Sequence, residues 1–326
     1  MDTPPLIPMA WWVHQWSPFV VEFGGGFGVR WYGLAYVLAF AAGFLVLRHL
    51  ARRGVATLPE QQVGDFITWA ALFGVMLGGR IGHFLFYYPE GFLADPLSFF
   101  QLWKGGMASH GGILGLVVFT YVYAKRHRLS WRGIGDDLVV AAPVGLFLGR
   151  CANFINGELY GRPTSVPWAM RFPKELFDAP TPVVQQAIAR CQEVDPRYVS
   201  LDQIVDAVPS DPRLAEALGP LLAPRHPSQL YEAALEGLAL FALLWFLHTR
   251  TRPAKGVVTG MFFIAYAVFR IFAEMFREPD AGLVLGLTRG QFLSLFMVLV
   301  GAAFLLAAPR DPAPSGRKPT GTDGPR

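Results

Sequence analysis

Two stretches of this chain place charged side chains where an apolar run would continue. Residues 149–162, GRCANFINGELYGR, close the apolar stretch DDLVVAAPVGLFL, and residues 266–280, YAVFRIFAEMFREPD, set Arg270, Glu274 and Arg277 into another. Arg150 and Asn153 are three residues apart, and Arg270, Glu274 and Arg277 follow an i, i+4, i+7 spacing, so each set lines one face of a helix. Guanidinium groups bind phosphate oxygens through two parallel hydrogen bonds and stay charged when partly desolvated, so two such faces suit an anionic, phosphate-bearing ligand. A third stretch, GGMASHGGILG at 105–115, sets His110 among glycines. Glycines let the backbone and His110 approach a bound molecule closely, and histidine takes up a proton near neutral pH, which would supply a base beside the phosphate site.

Each of these residues also has a structural reading. Arg150 alternatively pairs with Glu158 or Glu274, and His110 is alternatively a hydrogen-bonded helix-start residue. For Arg80 and Arg277, ion pairing or snorkelling stands beside ligand binding. His83, Glu232, Glu236 and the asparagines read as interhelical hydrogen-bonding groups. Ser109 next to His110 makes no dyad, and no metal-ligand spacing such as H-E-x-x-H is present, so neither a metal nor a cofactor is expected.

The elements that position these residues follow from composition. Of 326 residues, 53% are hydrophobic and only 16% charged, with a mean hydropathy of +0.36, so the chain reads as an all-α integral membrane protein. The net charge of +4 does not point to nucleic acid, because Lys and Arg sit in short clusters between apolar runs. Runs of spanning length lie at about 31–48, 65–88, 107–124, 137–156, 230–248, 256–276 and 290–308, which predicts seven transmembrane helices. Basic residues collect on alternate connections, at Arg48, Arg52 and Arg53, at Lys125, Arg126, Arg128 and Arg132, and at Arg250, Arg252 and Lys255, with Arg310, Arg317 and Lys318 in the tail. The opposite side carries Lys104 alone between helices two and three, so the N-terminus is expected outside and the C-terminus in the cytoplasm.

Five segments result. Residues 1–29 form an external interfacial segment in which WWVHQW (11–16) sits at the headgroups, with Tyr87, Tyr88 and Trp103 in the same aromatic belt. Residues 30–159 hold helices one to four, 160–228 an external polar head, 229–308 helices five to seven, and 309–326 a disordered cytoplasmic tail. No cleavable signal peptide is expected. Within the head, 182–191 and 211–222 read as short amphipathic helices lying on the membrane or capping a cavity. Cys151, in an apolar run, and Cys191, in a polar stretch, suggest no disulfide framework.

GRCANFINGELYGR resembles the signature of the prolipoprotein diacylglyceryl transferases. The resemblance continues through VRWYGLAY (29–36), GGRIGHFLFYY (78–88), GGMASHGGILG, TSVPWAMRFP (164–173), RHPSQLYEA (225–233) and YAVFRIFAEMFREPD, and so covers nearly all the helices. It implies a multi-pass enzyme of the bacterial inner membrane that moves the diacylglyceryl group of phosphatidylglycerol onto the lipobox cysteine of a preprolipoprotein signal peptide. The family's lipid-binding arginine falls on Arg150, its essential loop histidine on His110, and its helix-six tyrosine and arginine on Tyr266 and Arg270. Tyr32, Asn153, Glu158, Gly161 and Arg277 match further positions around the site, and Arg80 is added as a substrate-binding candidate. Cys151 stands where the signature usually has an aliphatic residue, and 174–224 is longer than in many relatives.

That chemistry suits these residue types. A thiol attacking the glycerol carbon expels a phosphate monoester, whose growing charge Arg150 and Arg270 would stabilise, while His110 would take the thiol proton. Membrane lipids are the remaining expected partners. Without the resemblance, a transporter of an anionic solute would use the same cationic cavity, but it would favour internal repeats and polar groups on both sides, and here they gather near one face. Reporter fusions at Ala223 and Ser315 are expected to report outside and cytoplasm respectively, and the reverse pattern would overturn the orientation.

Overall fold

The computed structural model describes residues 11–24, 26–90, 95–101, 105–279 and 282–308; the tail expected at 309–326, residues 1–10 and the belt residue Trp103 lie outside the described residues. Ten helices are numbered here in chain order: α1 (Trp31–Arg52), α2 (Glu60–Phe86), α3 (Ser109–His127), α4 (Trp131–Ile155), α5 (Thr181–Val194), α6 (Leu201–Ala207), α7 (Pro212–Leu218), α8 (Ser228–Thr251), α9 (Val257–Glu274) and α10 (Arg289–Leu306). Four short strands accompany them: β1 (Trp12–Val13), β2 (Phe19–Gly24), β3 (Phe27–Arg30) and β4 (Met170–Arg171). Seven of the helices match the seven apolar runs. Six of these, all but α3, are long and apolar enough to cross a membrane. Helix α3 starts with Ser109 and His110 and ends with Lys125, Arg126 and His127, which leaves it more polar than the other six.

Helix α4 is the hub and packs against α1, α8 and α9, while α10 lies along α9. Two adjacent aspartates near the start of α4 fasten one end of the bundle. Asp136 accepts from the backbone N–H groups of Gly256 (2.6 Å) and Thr259 (2.7 Å) and from the Thr259 hydroxyl, which fixes the turn before α9. Asp137 accepts from Thr57 N–H (2.7 Å) and Leu58 N–H (3.1 Å), which fixes the turn before α2, and stands 3.3 Å from His248 of α8. Both carboxylates are buried, where hydrogen bonds to backbone donors replace water.

The other end carries the head. Helices α5 and α7, together with α6, which the sequence pattern did not reveal, bury Leu176, Ala187, Cys191, Ile204, Leu214 and Leu218 in a small core of their own. The apolar faces expected to lie on the membrane or cap a cavity are thus turned on each other. Cys191, read as lying in a polar stretch, is fully buried, and burial pushes its thiol up to about 11. Strand β1 pairs in parallel with β4, Trp12 opposite Met170 and Val13 opposite Arg171. The WWVHQW stretch is therefore tied to the head through Trp12 and Val13, with Trp12 and Trp16 exposed. His14 sits between Phe154 and Phe172, and burial lowers its pKa to about 4, so the ring packs neutral.

Helices α2 and α3 form a hairpin whose seam is made of glycines. Gly74, Gly78 and Gly82 face Gly111 and Gly115, and a Cβ built on Gly111 would stand 2.5 Å from Gly78 O and 2.7 Å from Gly82 Cα. Apolar side chains gain little by leaving lipid for each other, so close backbone approach is what holds such a pair. Of the glycines around His110, Gly111 and Gly115 admit the neighbouring helix, while Gly105 faces open space. Gly111→Ala is therefore expected to destabilise the protein by about 1–3 kcal/mol through overpacking. Gly112→Ala, which would meet nothing nearer than Val75 O at 3.4 Å, should be near neutral. Thermal unfolding midpoints of the two variants in the same detergent check this.

Candidate active site

The polar end of α4 is shaped by Asn153, Gly157 and Gly161. Gly157, at φ 64°, takes the left-handed conformation that ends the helix, and the chain turns back so that Glu158 N–H reaches Asn153 O at 3.1 Å. The Glu158 carboxylate then meets the Tyr32 hydroxyl from α1 and, at 3.0 Å, the Asn153 amide, which also contacts Tyr32. Gln229 and Ser228 at the start of α8 bond to the backbone carbonyls of Glu158 and Leu159. Two residues on, Gly161 crosses between two carbonyls, and a Cβ there would stand 2.5 Å from Phe276 O and 2.6 Å from His226 O. This crossing bridges Gly161 to Arg277, and the Arg162 guanidinium adds a bond to Arg277 O at 3.0 Å. The signature thus joins α1, α4, α8 and α9. The Asn156 side-chain oxygen is buried with no partner among the described residues, so an ordering role is visible only for Asn153.

Three arginines converge beside this junction on three glutamates. Arg150 reaches Glu232 at 2.7 Å and Glu236 at 3.1 Å. Arg270 reaches Glu232 at 3.1 Å, Glu236 at 3.3 Å and, more closely, Glu274, while Arg277 reaches Glu232 at 3.1 Å. Glu232 and Glu236 are fully buried one turn apart on α8, at the edge of a π-helical stretch, Ala233–Ala239. Tyr266 lies within electrostatic reach of Arg150, Arg270, Glu232 and Glu236. Three guanidinium groups face three carboxylates, a formal sum of zero, so the expected cationic cavity is charge-balanced. The partners of Arg150 are Glu232 and Glu236, not the Glu158 or Glu274 considered from the sequence. Those two, read as hydrogen-bonding groups between helices, are the centre of the lattice. Of the three arginine side chains Arg150 is the most open, at 16% exposed against 12% for Arg270 and 6% for Arg277.

Two predicted site residues stand apart from this lattice. Arg80 is buried on α2 and directs its guanidinium to five backbone carbonyls, of Ser98 (2.5 Å), Phe99 (2.8 Å), Gln101 (3.3 Å), Gly105 and Gly106 (3.0 Å). All five of its donors are thereby engaged, and it clamps the connection leading to α3. His110 is exposed as the second residue of α3, and among the described residues no hydrogen bond or ion pair ties it to the arginines. Sequence reasoning missed His226. Its ring lies 3.2 Å from the Tyr231 hydroxyl, which accepts from the Trp168 indole at 2.6 Å, and burial lowers its pKa. The signal was present in RHPSQLYEA, where His226 and Tyr231 are five residues apart.

Fold and site together define a polytopic helical membrane protein with a buried arginine–glutamate lattice at the head end of its bundle. The sequence pattern of the prolipoprotein diacylglyceryl transferase family matches residues 18–307. Among similar proteins, the phosphatidylglycerol--prolipoprotein diacylglyceryl transferase of Bdellovibrio bacteriovorus is 40% identical over 90% of this chain and 93% of its own. Those of Rhodospirillum rubrum and Nitrosomonas europaea are 42% and 41% identical, over 90% and 91% of this chain and 93% and 92% of their own. The chain belongs to the prolipoprotein diacylglyceryl transferase family.

The lattice makes a test independent of turnover. Removing one member of a buried ion pair costs about 3–5 kcal/mol because its partner is left uncompensated. Arg150→Met and Glu236→Leu are each expected to lose that much unfolding free energy, and the double variant much less than the summed losses. Additive losses would mean that the two groups do not act as a pair.

Proposed function

We propose that the protein transfers the diacylglyceryl group of phosphatidylglycerol to the thiol of the lipobox cysteine in a preprolipoprotein. A carbon–sulfur bond forms at the glycerol carbon, the carbon–oxygen bond to phosphate breaks, and glycerol phosphate leaves with the electron pair. The substrate supplies the nucleophile, so the enzyme's work is to hold the phosphate, accept the thiol proton and stabilise charge on the leaving group. The observation that carries this reading is the partly open Arg150, held by two fully buried glutamates at the end of the signature helix. An arginine already charged, oriented and partly desolvated can offer its open edge to a phosphate while the two glutamates hold its other donors. Arg270 and Tyr266 border the same charge, and Tyr32, Asn153, Glu158 and Gly161 fix the backbone beside it, with Arg277 tied to both. The named relatives are transferases, which favours group transfer over transport of an anionic solute.

His110 is the proposed base, and Arg80 serves the substrate by holding the connection that leads to the helix carrying it. The reading includes a bacterial inner-membrane location with residues 160–228 outside, seven spans, and a cytoplasmic tail at 309–326. Arg150→Lys keeps the charge but loses the planar fork. It is expected to lower turnover at least about 100-fold, the scale of a lost preorganised donor, and to weaken phosphatidylglycerol binding at matched membrane levels. His110→Ala should abolish thioether formation while binding persists. An Arg150→Lys protein that binds and transfers like the parent would remove the phosphate-ligand role.

A further inference from the structure

A groove of about 920 Å³ runs along the outer face of the α2–α3 hairpin, away from the arginine–glutamate lattice. Its origin is the glycine seam. Where Gly78, Gly82, Gly111 and Gly115 meet there are no side chains, so the floor is backbone and the flanking Leu77, Ile81, Leu114 and Val118 stand up as walls. From Gln62 to Phe86 the groove is roughly 36 Å long, with a backbone floor along the seam and apolar walls on both sides. An extended hydrocarbon chain follows such a channel along its length.

The groove is apolar until the end remote from the head, where Gln62, Asp65, Tyr123, Arg126 and His127 line it. The Tyr123 hydroxyl donates to the Gln62 side-chain oxygen at 3.2 Å and the Tyr123 ring stacks on His127 at 4.1 Å, so this end is ordered. Arg126 is exposed and offers a guanidinium fork; Asp65 offers one carboxylate. One guanidinium and one carboxylate at the mouth of an apolar channel complement a phosphate joined to an ammonium group. We propose that the α2–α3 groove binds a phospholipid with a zwitterionic, ammonium-bearing headgroup, its phosphate on Arg126, its ammonium on Asp65 and one acyl chain along the glycine floor. This lipid differs in headgroup charge from the proposed substrate and enters at the opposite end of the bundle. Its role is to fill the seam side of the hairpin, so that the α2–α3 pair packs against lipid of defined chemistry rather than exchanging lipid.

Photoactivatable phosphatidylethanolamine, phosphatidylcholine and phosphatidylglycerol, each with a diazirine in the acyl chain, test this on the full chain in nanodiscs. Labelling is read at residues 78–86 and 111–118. Phosphatidylethanolamine is expected to label at least about fivefold more than phosphatidylglycerol, because its ammonium donates charge-assisted hydrogen bonds to a carboxylate; phosphatidylcholine, which has no N–H, falls between. Asp65→Asn should erase that preference, Arg126→Gln should lower labelling by all three, and Val118→Trp or, from the other wall, Ile81→Trp should block the groove while leaving transferase turnover intact. Equal labelling by the three lipids that Asp65→Asn leaves unchanged, or a preference for phosphatidylglycerol, would overturn the proposal. So would labelling displaced by an apolar transmembrane peptide regardless of headgroup, which would make a helix the occupant.

Discussion

Six charged side chains sit where the bilayer offers them nothing, and the rest of the protein is arranged so that they offer it to each other. A lone arginine at the centre of a membrane costs about 2.5–3.5 kcal/mol on insertion scales, so Arg150, Arg270 and Arg277 are tolerable only because Glu232, Glu236 and Glu274 meet them. That requirement sets the relative positions of three helices. Because α4, α8 and α9 each contribute one sign of charge or both, none can slide or rotate by a turn without leaving a buried ion unpaired. The same constraint holds three guanidinium groups in fixed positions at no net charge.

The two ends of α4 solve related problems differently. At the head end, charge is met by charge, and Arg150 keeps part of its side chain exposed. At the other end, Asp136 and Asp137 are met by backbone donors, which fix the turns before α2 and α9.

What the sequence made legible follows the range of each signal. The seven long apolar runs appear as helices because hydrophobicity is summed over twenty residues, and the spacing of Arg270 and Glu274 set those two on one face of α9, whereas Arg277 lies past its last turn and reaches the lattice from a bridge to Gly161. The partners of Arg150 were not legible, since Glu232 and Glu236 are some eighty residues away and nothing local distinguishes them from other glutamates. The clamp made by Arg80 was hidden for a similar reason, because its acceptors are carbonyls that every residue carries. The four-residue recurrence of Gly74, Gly78 and Gly82 against Gly111 and Gly115 was visible, but glycine signals only that something comes close, not what. In the head, α6 is seven residues long, too short for periodicity to show.

The pairing of β1 with β4 has a consequence for how the molecule is made. Trp12 and Val13 are among the first described residues to be synthesised, yet their partners Met170 and Arg171 follow α1, α2, α3 and α4 in the chain. At about 5–20 residues per second the first strand waits roughly 10–30 s for the second. Throughout that interval its backbone donors and its tryptophans are uncovered, and only a nascent chain that already includes α1 to α4 can close the head over them.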